Sequence, residues 1–256
     1  MTHPAVPPIA ELLAPAVWRT VDFISDLHLQ TAEPETFEAW RRYMEDTPAD
    51  AIFILGDLFE VWAGDDAAGE PGFAADCAAV LQAAASRAAV FFMHGNRDFL
   101  VGEGFLSACR ATMLPDPTVL DFAEKRWLLT HGDALCLADT EYMRFREQVR
   151  SPEWQREFLA KPLAQRQAIA RQLREHSESR KSSGIGYADV DGPATLAWLE
   201  AADAHAMIHG HTHKPADHIL GVRSRTVLSD WDAAAAPPRL EALRLTAEGA
   251  RRIPLT

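Results

Sequence analysis

Five short apolar runs in this chain each stop on residues that can bind metal or phosphate, and no other feature limits its fold so strongly. Val21-Asp22-Phe23-Ile24 leads into Ser25-Asp26-Leu27-His28, and Ala51-Ile52-Phe53-Ile54-Leu55 into Gly56-Asp57. Val90-Phe91-Phe92-Met93 leads into His94-Gly95-Asn96-Arg97-Asp98, Trp127-Leu128-Leu129-Thr130 into His131-Gly132-Asp133, and Ala206-Met207-Ile208 into His209-Gly210-His211-Thr212-His213. Each run is too short for a helix and favours strands. Proline-free, helix-favouring stretches at 35–45 and 74–88 predict helices between them, and 224–228, 240–245 and 250–253 read as further strands. Such alternation means an α/β or layered α+β domain. In open sheets of this kind ligands bind beyond the carboxyl ends of strands, so residues distant in sequence converge on one rim.

At 256 residues, with 48% hydrophobic and 24% charged side chains, the chain suits one packed domain. It has no run long enough to span a membrane and no secretory signal, so a cytoplasmic protein is expected. A formal charge of -12 argues against a nucleic-acid partner. Cys77, Cys109 and Cys136 form neither a disulfide framework nor a zinc clip and read as buried small hydrophobes.

At the strand ends, Asp26, His28, Asp57, Asn96, His131, His211 and His213 amount to two carboxylates, one amide and four imidazoles. That is too many for one ion and suits two, with Asp57 the natural bridge because a carboxylate has two oxygens to share. Ligation by nitrogen and oxygen without thiolate points to manganese, iron or a catalytic zinc. Two such ions favour hydrolysis at phosphorus. Any one of these side chains alone would read as a structural hydrogen-bonder; their joint occurrence in one context does not. His3, His94, His176, His205, His209 and His218 add no ligand at a vacant strand end and read as structural. Asp98 and Asp133 are expected to orient an imidazole or guanidinium.

The set D-x-H, G-D, G-N-R-D, H-G-D and G-H-T-H resembles the calcineurin-like metallophosphoesterases over residues 20–232. More narrowly, Ile24 to Leu29, Ile54 to Glu60 with Trp62 and Gly64-Asp65-Asp66, His94 to Leu100 and His209 to Pro215 are similar to the UDP-2,3-diacylglucosamine hydrolase family. The resemblance implies a four-layer αββα sandwich with a helical lid at about 139–190, and two Mn2+ ions per chain. One ion would take Asp26, His28, Asp57 and His213, the other Asp57, Asn96, His131 and His211. Asn96, Arg97 and His211 are implied to be catalytic; these three with Asp139, Ser177 and Lys181 are implied to contact the substrate. That substrate would be UDP-2,3-diacylglucosamine, cleaved to lipid X and UMP by a monomer peripheral to the cytoplasmic face of the inner membrane. The pattern departs from the family's at Gly184-Ile185-Gly186, where another lysine is expected, and the spacing to Asp189-Val190 is one residue short.

Phosphoprotein phosphatases of the superfamily carry a histidine where Arg97 stands. An imidazole helps a poor leaving group by giving it a proton. A guanidinium instead clamps a phosphoryl oxygen. A diphosphate expels a phosphate monoester, whose last pKa is about 6, so no proton is needed. Arg97 therefore fits a diphosphatase.

Within 139–190 strand-like runs vanish and helical spacing takes over, as in Phe145 with Val149 and Trp154 with Phe158. Because the insertion leaves the His131 run directly, it should cover the rim. From Lys161 to Lys181, six basic residues stand against Glu175 and Glu178, a balance suited to a nucleotide diphosphate below and anionic headgroups outside. Phe145, Val149, Trp154, Phe158, Leu159, Leu163, Ile169 and Leu173 could line an acyl chamber or simply seal the lid. Residues 1–19, with Pro4, Pro7, Pro8 and Pro15, read as a poorly ordered extension to a domain at 20–256. Two rivals are a dimetal phosphodiesterase or diphosphatase for soluble nucleotides, and a non-catalytic module of the same fold.

Overall fold

A computed structural model describes residues 6–69, 71–182 and 189–255, with the side chains of 175–182 left outside the description. The chain runs β1 (Ala10–Leu13), β2 (Val21–Ile24), α1 (Pro34–Asp46), β3 (Ala51–Leu55), α2 (Phe73–Ala85), β4 (Ala89–Met93), α3 (Glu103–Cys109), β5 (Thr112–Met113), β6 (Thr118–Phe122) and β7 (Lys125–Thr130). It continues through α4 (Thr140–Val149), α5 (Pro152–Leu159), α6 (Leu163–Ser182), α7 (Gly192–Ala201), β8 (Ala206–His209), β9 (Ala216–Leu220), β10 (Arg223–Val227), β11 (Glu241–Thr246) and β12 (Gly249–Pro254).

Among the described residues two six-stranded sheets form, in the orders β1-β6-β7-β8-β10-β9 and β12-β11-β2-β3-β4-β5. β2, β3 and β4 run parallel, as do β7 and β8, so these five strands present their carboxyl ends together within their sheets. Side-chain alternation explains the layers. Phe23, Phe53, Leu55, Phe91, Leu129 and Ile208 fill the space between the sheets. Ile24, Ile52, Ile54 and Phe92 point the other way, onto Trp40 and Met44 of α1 and Cys77 and Leu81 of α2. Val119, Leu128 and Met207 pack on Trp198 and Leu199 of α7. Helices, sheet, sheet and helix make the expected four layers. Strands buried on both faces are apolar throughout, which is why their sequence signal is so plain.

One expectation fails. Residues 10–13, placed in a poorly ordered extension, form β1, an edge strand paired in parallel with β6. Leu12, Ala14 and Trp18 pack onto the core between the sheets, and the Trp18 ring meets Phe53 and Phe91 edge-on at 6.4 and 6.1 Å. The prolines flank this strand rather than interrupt it, as an edge strand permits.

Candidate metal centre and its lid

The donors stand on backbone that only a demanding site would retain. Asp26, His28, Asp57, His211 and His213 have φ of 55, 49, 53, 67 and 53°, a left-handed region that costs a non-glycine residue about 1–3 kcal/mol. Such turns let each strand end double back and aim its side chain across the rim. Gly56 (φ +88°) makes the close approach possible: a Cβ there would lie 2.6 Å from both Gly95 Cα and His131 Nδ1.

The side chains converge. Ligand atoms of Asp26, His28 and His213 lie within 4.8 Å of one another, as do those of Asp26, Asp57 and His131. Asp57 Oδ2 is 4.0 Å from His28 Nε2 and 3.8 Å from His131 Nε2, midway between the two halves of the cage. Asn96 Oδ1 is 3.1 Å from His131 Nε2 and 2.8 Å from His211 Nδ1. The Nε2 atoms of His28 and His213 face each other at 3.1 Å, where at most one can donate. His131 Nδ1 faces the Leu55 carbonyl at 2.9 Å; a carbonyl only accepts, so Nδ1 carries a proton and Nε2 is the atom that can ligate in the cage once it gives up its own. Converging lone pairs on buried imidazoles, carboxylates and one amide fit two divalent cations.

Electrostatics divide the imidazoles. Burial lowers His28 and His211 to about 4, leaving them neutral. Burial also lowers His131, but the Asp57, Asp133 and Asp26 charges outweigh it and raise that ring to about 9. His213 is raised likewise by its hydrogen bond to Asp26 and by that carboxylate's charge, against burial. Burial pushes the Asp26 carboxyl up, while His213 holds it well below the usual carboxylate range.

Around the donors stand residues whose roles sequence alone left unread or misread. Among the described residues Asp98 bonds to no imidazole or guanidinium: its carboxylate accepts backbone N–H groups of Gly95 and Leu58, each at 2.8 Å, and of Phe59 at 3.3 Å, stitching two donor loops together. Asp133 does face guanidiniums, those of Arg146 and Arg150 in the lid. Glu60 Oε2 lies 3.0 Å from His28 Nδ1, and Glu60 also pairs with Arg174 of α6. Arg97 donates its backbone N–H to Asp57 Oδ1 at 2.8 Å, while its buried Nε has no hydrogen-bond partner among the described residues. Glu60 belongs to the motif that carries the resemblance, but its sequence context gives no hint of its contacts.

Two of the histidines read as structural hydrogen-bond to the backbone: His94 Nε2 meets the Val101 carbonyl at 2.6 Å and His209 Nδ1 the Gly210 carbonyl at 2.8 Å. His3, Gly184, Ile185 and Gly186 lie outside the described residues, as do the side chains of His176, Ser177 and Lys181.

Helices α4, α5 and α6 leave β7 and return at α7. Asp139 caps α4, accepting from the Tyr142 N–H at 3.0 Å. Trp154 and Phe158 stack at 4.7 Å, and both, with Ile169, pack on the helix-side core, whereas Leu159 and Leu173 are 42% and 40% exposed. Arg166, counted from sequence as part of a basic face, is 3% exposed. It pins α6 to Asp66 and to the Ala63 carbonyl. A cavity of about 370 Å³ opens beside it, lined by Leu29, Phe59, Trp62 and Phe73, with Gln167 and Arg171 of α6 at its edge.

The family model for calcineurin-like phosphoesterases matches residues 19–215. A UDP-2,3-diacylglucosamine hydrolase of Chromobacterium violaceum is 44% identical over 82% of this chain and 90% of its own. Proteins of the same name from Ralstonia nicotianae and Bordetella pertussis are each 43% identical, over 88% and 84% of this chain and 88% and 87% of theirs.

Proposed function

The chain belongs to the calcineurin-like phosphoesterase family and, within it, to the UDP-2,3-diacylglucosamine hydrolases; from this premise we propose that it hydrolyses the diphosphate of UDP-2,3-diacylglucosamine, giving lipid X and UMP for lipid A biosynthesis. The observation that carries this is the gathering of donors from five strand ends around Asp57, beside Arg97, whose buried Nε meets no acceptor among the described residues.

Asp26, His28, Asp57 and His213 would hold one ion, and Asp57, Asn96, His131 and His211 the other, both Mn2+ in our reading. When bound, two such ions supply Lewis acidity to the phosphoryl oxygens and lower the pKa of water. Arg97 turns its guanidinium to the diphosphate and neutralises a non-bridging oxygen without giving up a proton. The departing phosphate monoester needs none. Asn96 and His211 border the same side of the cage and position the phosphoryl group. Asp139, Ser177 and Lys181 contact the substrate. The apolar walls of the cavity beside α6 offer the surface that acyl chains require.

Among the described residues no helix is long and apolar enough to cross a membrane. We place the monomer on the cytoplasmic face of the inner membrane, drawn by the exposed basic side chains of the lid.

The test is hydrolysis of UDP-2,3-diacylglucosamine by metal-stripped protein with and without Mn2+, beside the deacylated nucleotide and bis(p-nitrophenyl) phosphate. Mn-dependent release of UMP, with kcat/KM at least tenfold higher for the diacyl form, is expected on the order of an acyl contact's contribution. Equal turnover of the soluble compounds would favour a soluble nucleotide substrate instead.

A further inference from the structure

Asp133 lies two residues beyond His131 at the root of the lid and is completely buried. Its Oδ2 gathers three lid groups: Tyr142 Oη donates at 2.6 Å, Arg146 Nε at 2.8 Å, and Arg150 Nη2 lies 3.5 Å away. Two of these continue into the cage. The Tyr142 ring stacks on the His211 ring, 5.9 Å between centroids and 29° from parallel. Arg150 Nη2 donates at 2.9 Å to the carbonyl of Gly95, the residue before Asn96, and its guanidinium stands 5.9 Å from the Phe99 ring centre. One carboxylate thus reaches His131 along the chain, His211 through a ring and Asn96 through a guanidinium. Those are the three donors that only the second ion would use.

We propose that Asp133 is a positioning residue for the second half of the cage, holding Tyr142 and Arg150 so that a seated lid fixes His211 and the Asn96 loop in ligating geometry. A bond from a phenol to a carboxylate is charge-assisted and directional, so it sets the plane of the ring that rests on His211. If Asp133 served only to neutralise two lid arginines, neither the stack on His211 nor the reach of Arg150 to Gly95 would be required. Outer partners of metal ligands are worth on the order of 10–100-fold in affinity or activity. The inference rests on the reading of the chain as a dimetal diphosphatase, and its test separates the two.

Full-length Asp133→Asn and Tyr142→Phe are titrated with Co2+ and followed by visible absorption, and assayed on UDP-2,3-diacylglucosamine, with thermal unfolding recorded. For Asp133→Asn the second Co2+ should bind at least about tenfold more weakly with an altered spectrum, the first unchanged; kcat should fall by about 10–100-fold with KM within about threefold. Tyr142→Phe deletes only the Oη contact and should shift the second-ion spectrum and kcat in the same direction by a smaller factor. A folded Asp133→Asn protein with wild-type Co2+ binding, or one that loses KM but keeps kcat, overturns the proposal. Should Asp133→Asn not fold, unchanged second-ion affinity and kcat in Tyr142→Phe overturn it. Wild-type protein that binds two Co2+ yet leaves the diacyl nucleotide intact would sink the diphosphatase reading, and the Co2+ comparison would still decide the role of Asp133.

Discussion

The rim and the lid hold their functional side chains by different means. At the rim, five donors sit on left-handed backbone at strand ends, each strand buried on both faces, so the cage is set by the packing of two sheets. In α4, α5 and α6 no described non-glycine residue has a positive φ; α5 is held by Trp154 and Phe158 against the helix-side core, and α4 and α6 are fastened further by side-chain charges: Asp133 with Arg146, Asp66 with Arg166, Glu60 with Arg174. Strained backbone persists only where the surroundings over-determine it. Ion pairs can be exchanged singly. The rim should therefore fail all at once, and the lid by degrees.

The sharpest way to break that contrast is Asp57→Ala, which removes the oxygen midway between both halves of the cage. Hydrolysis in the presence of added Mn2+ should fall by at least about 10³-fold while circular dichroism and gel-filtration elution match those of the unsubstituted protein, since a metal clamp is worth several kcal/mol of transition-state stabilisation. Retained activity would end the bridging role. Next is Arg166→Ala, which unpins α6 and leaves Asp66 without its partner. The diacyl substrate should lose about 10–100-fold in kcat/KM, with bis(p-nitrophenyl) phosphate turnover changed less than about threefold and 140–182 newly open to protease. Equal losses on both substrates would mean that the lid and the rim are one unit.

A third effect is smaller and belongs to the rim alone. His131, raised to about 9 by surrounding carboxylates against burial, is protonated at pH 7 in metal-free protein. A cation must displace that proton, so affinity should rise up to about tenfold per pH unit below 9 and level off above it. Calorimetry in buffers of different ionisation enthalpy measures the proton released; a flat profile from pH 6 to 8 contradicts the assignment. The smallest effect concerns thiols. Burial raises Cys109 and Cys136 to about 12, and Cys77 higher still, so none should react with Ellman's reagent at pH 8 without denaturant.

Much of the architecture was legible because it is local. A buried strand that stops on a metal-capable side chain, as at Ser25-Asp26, Gly56-Asp57, Gly95-Asn96, His131-Gly132 and Gly210-His211, announces itself within eight residues, and these five ends supplied the candidate donors. β1 was hidden because its order comes from pairing with β6, more than a hundred residues away, and from Trp18 finding Phe53 and Phe91. Asp98 was misread since its partners are backbone N–H groups, which every residue carries. Arg166 looked like surface charge until α6 folded over Asp66.

The sequence by itself determined the alternation of strands and helices and the candidate donors at the strand ends, because periodicity and residue chemistry are properties of short stretches; the four layers and the contrast of Arg97 with a histidine came with the family resemblance. Only the tertiary structure decided which carboxylates face which cations: Glu60 toward His28 and Arg174, Asp133 toward Tyr142, Arg146 and Arg150, Asp66 toward Arg166. A charged side chain carries no mark of its partner, and a buried charge finds one only after the elements on both sides have packed and excluded water.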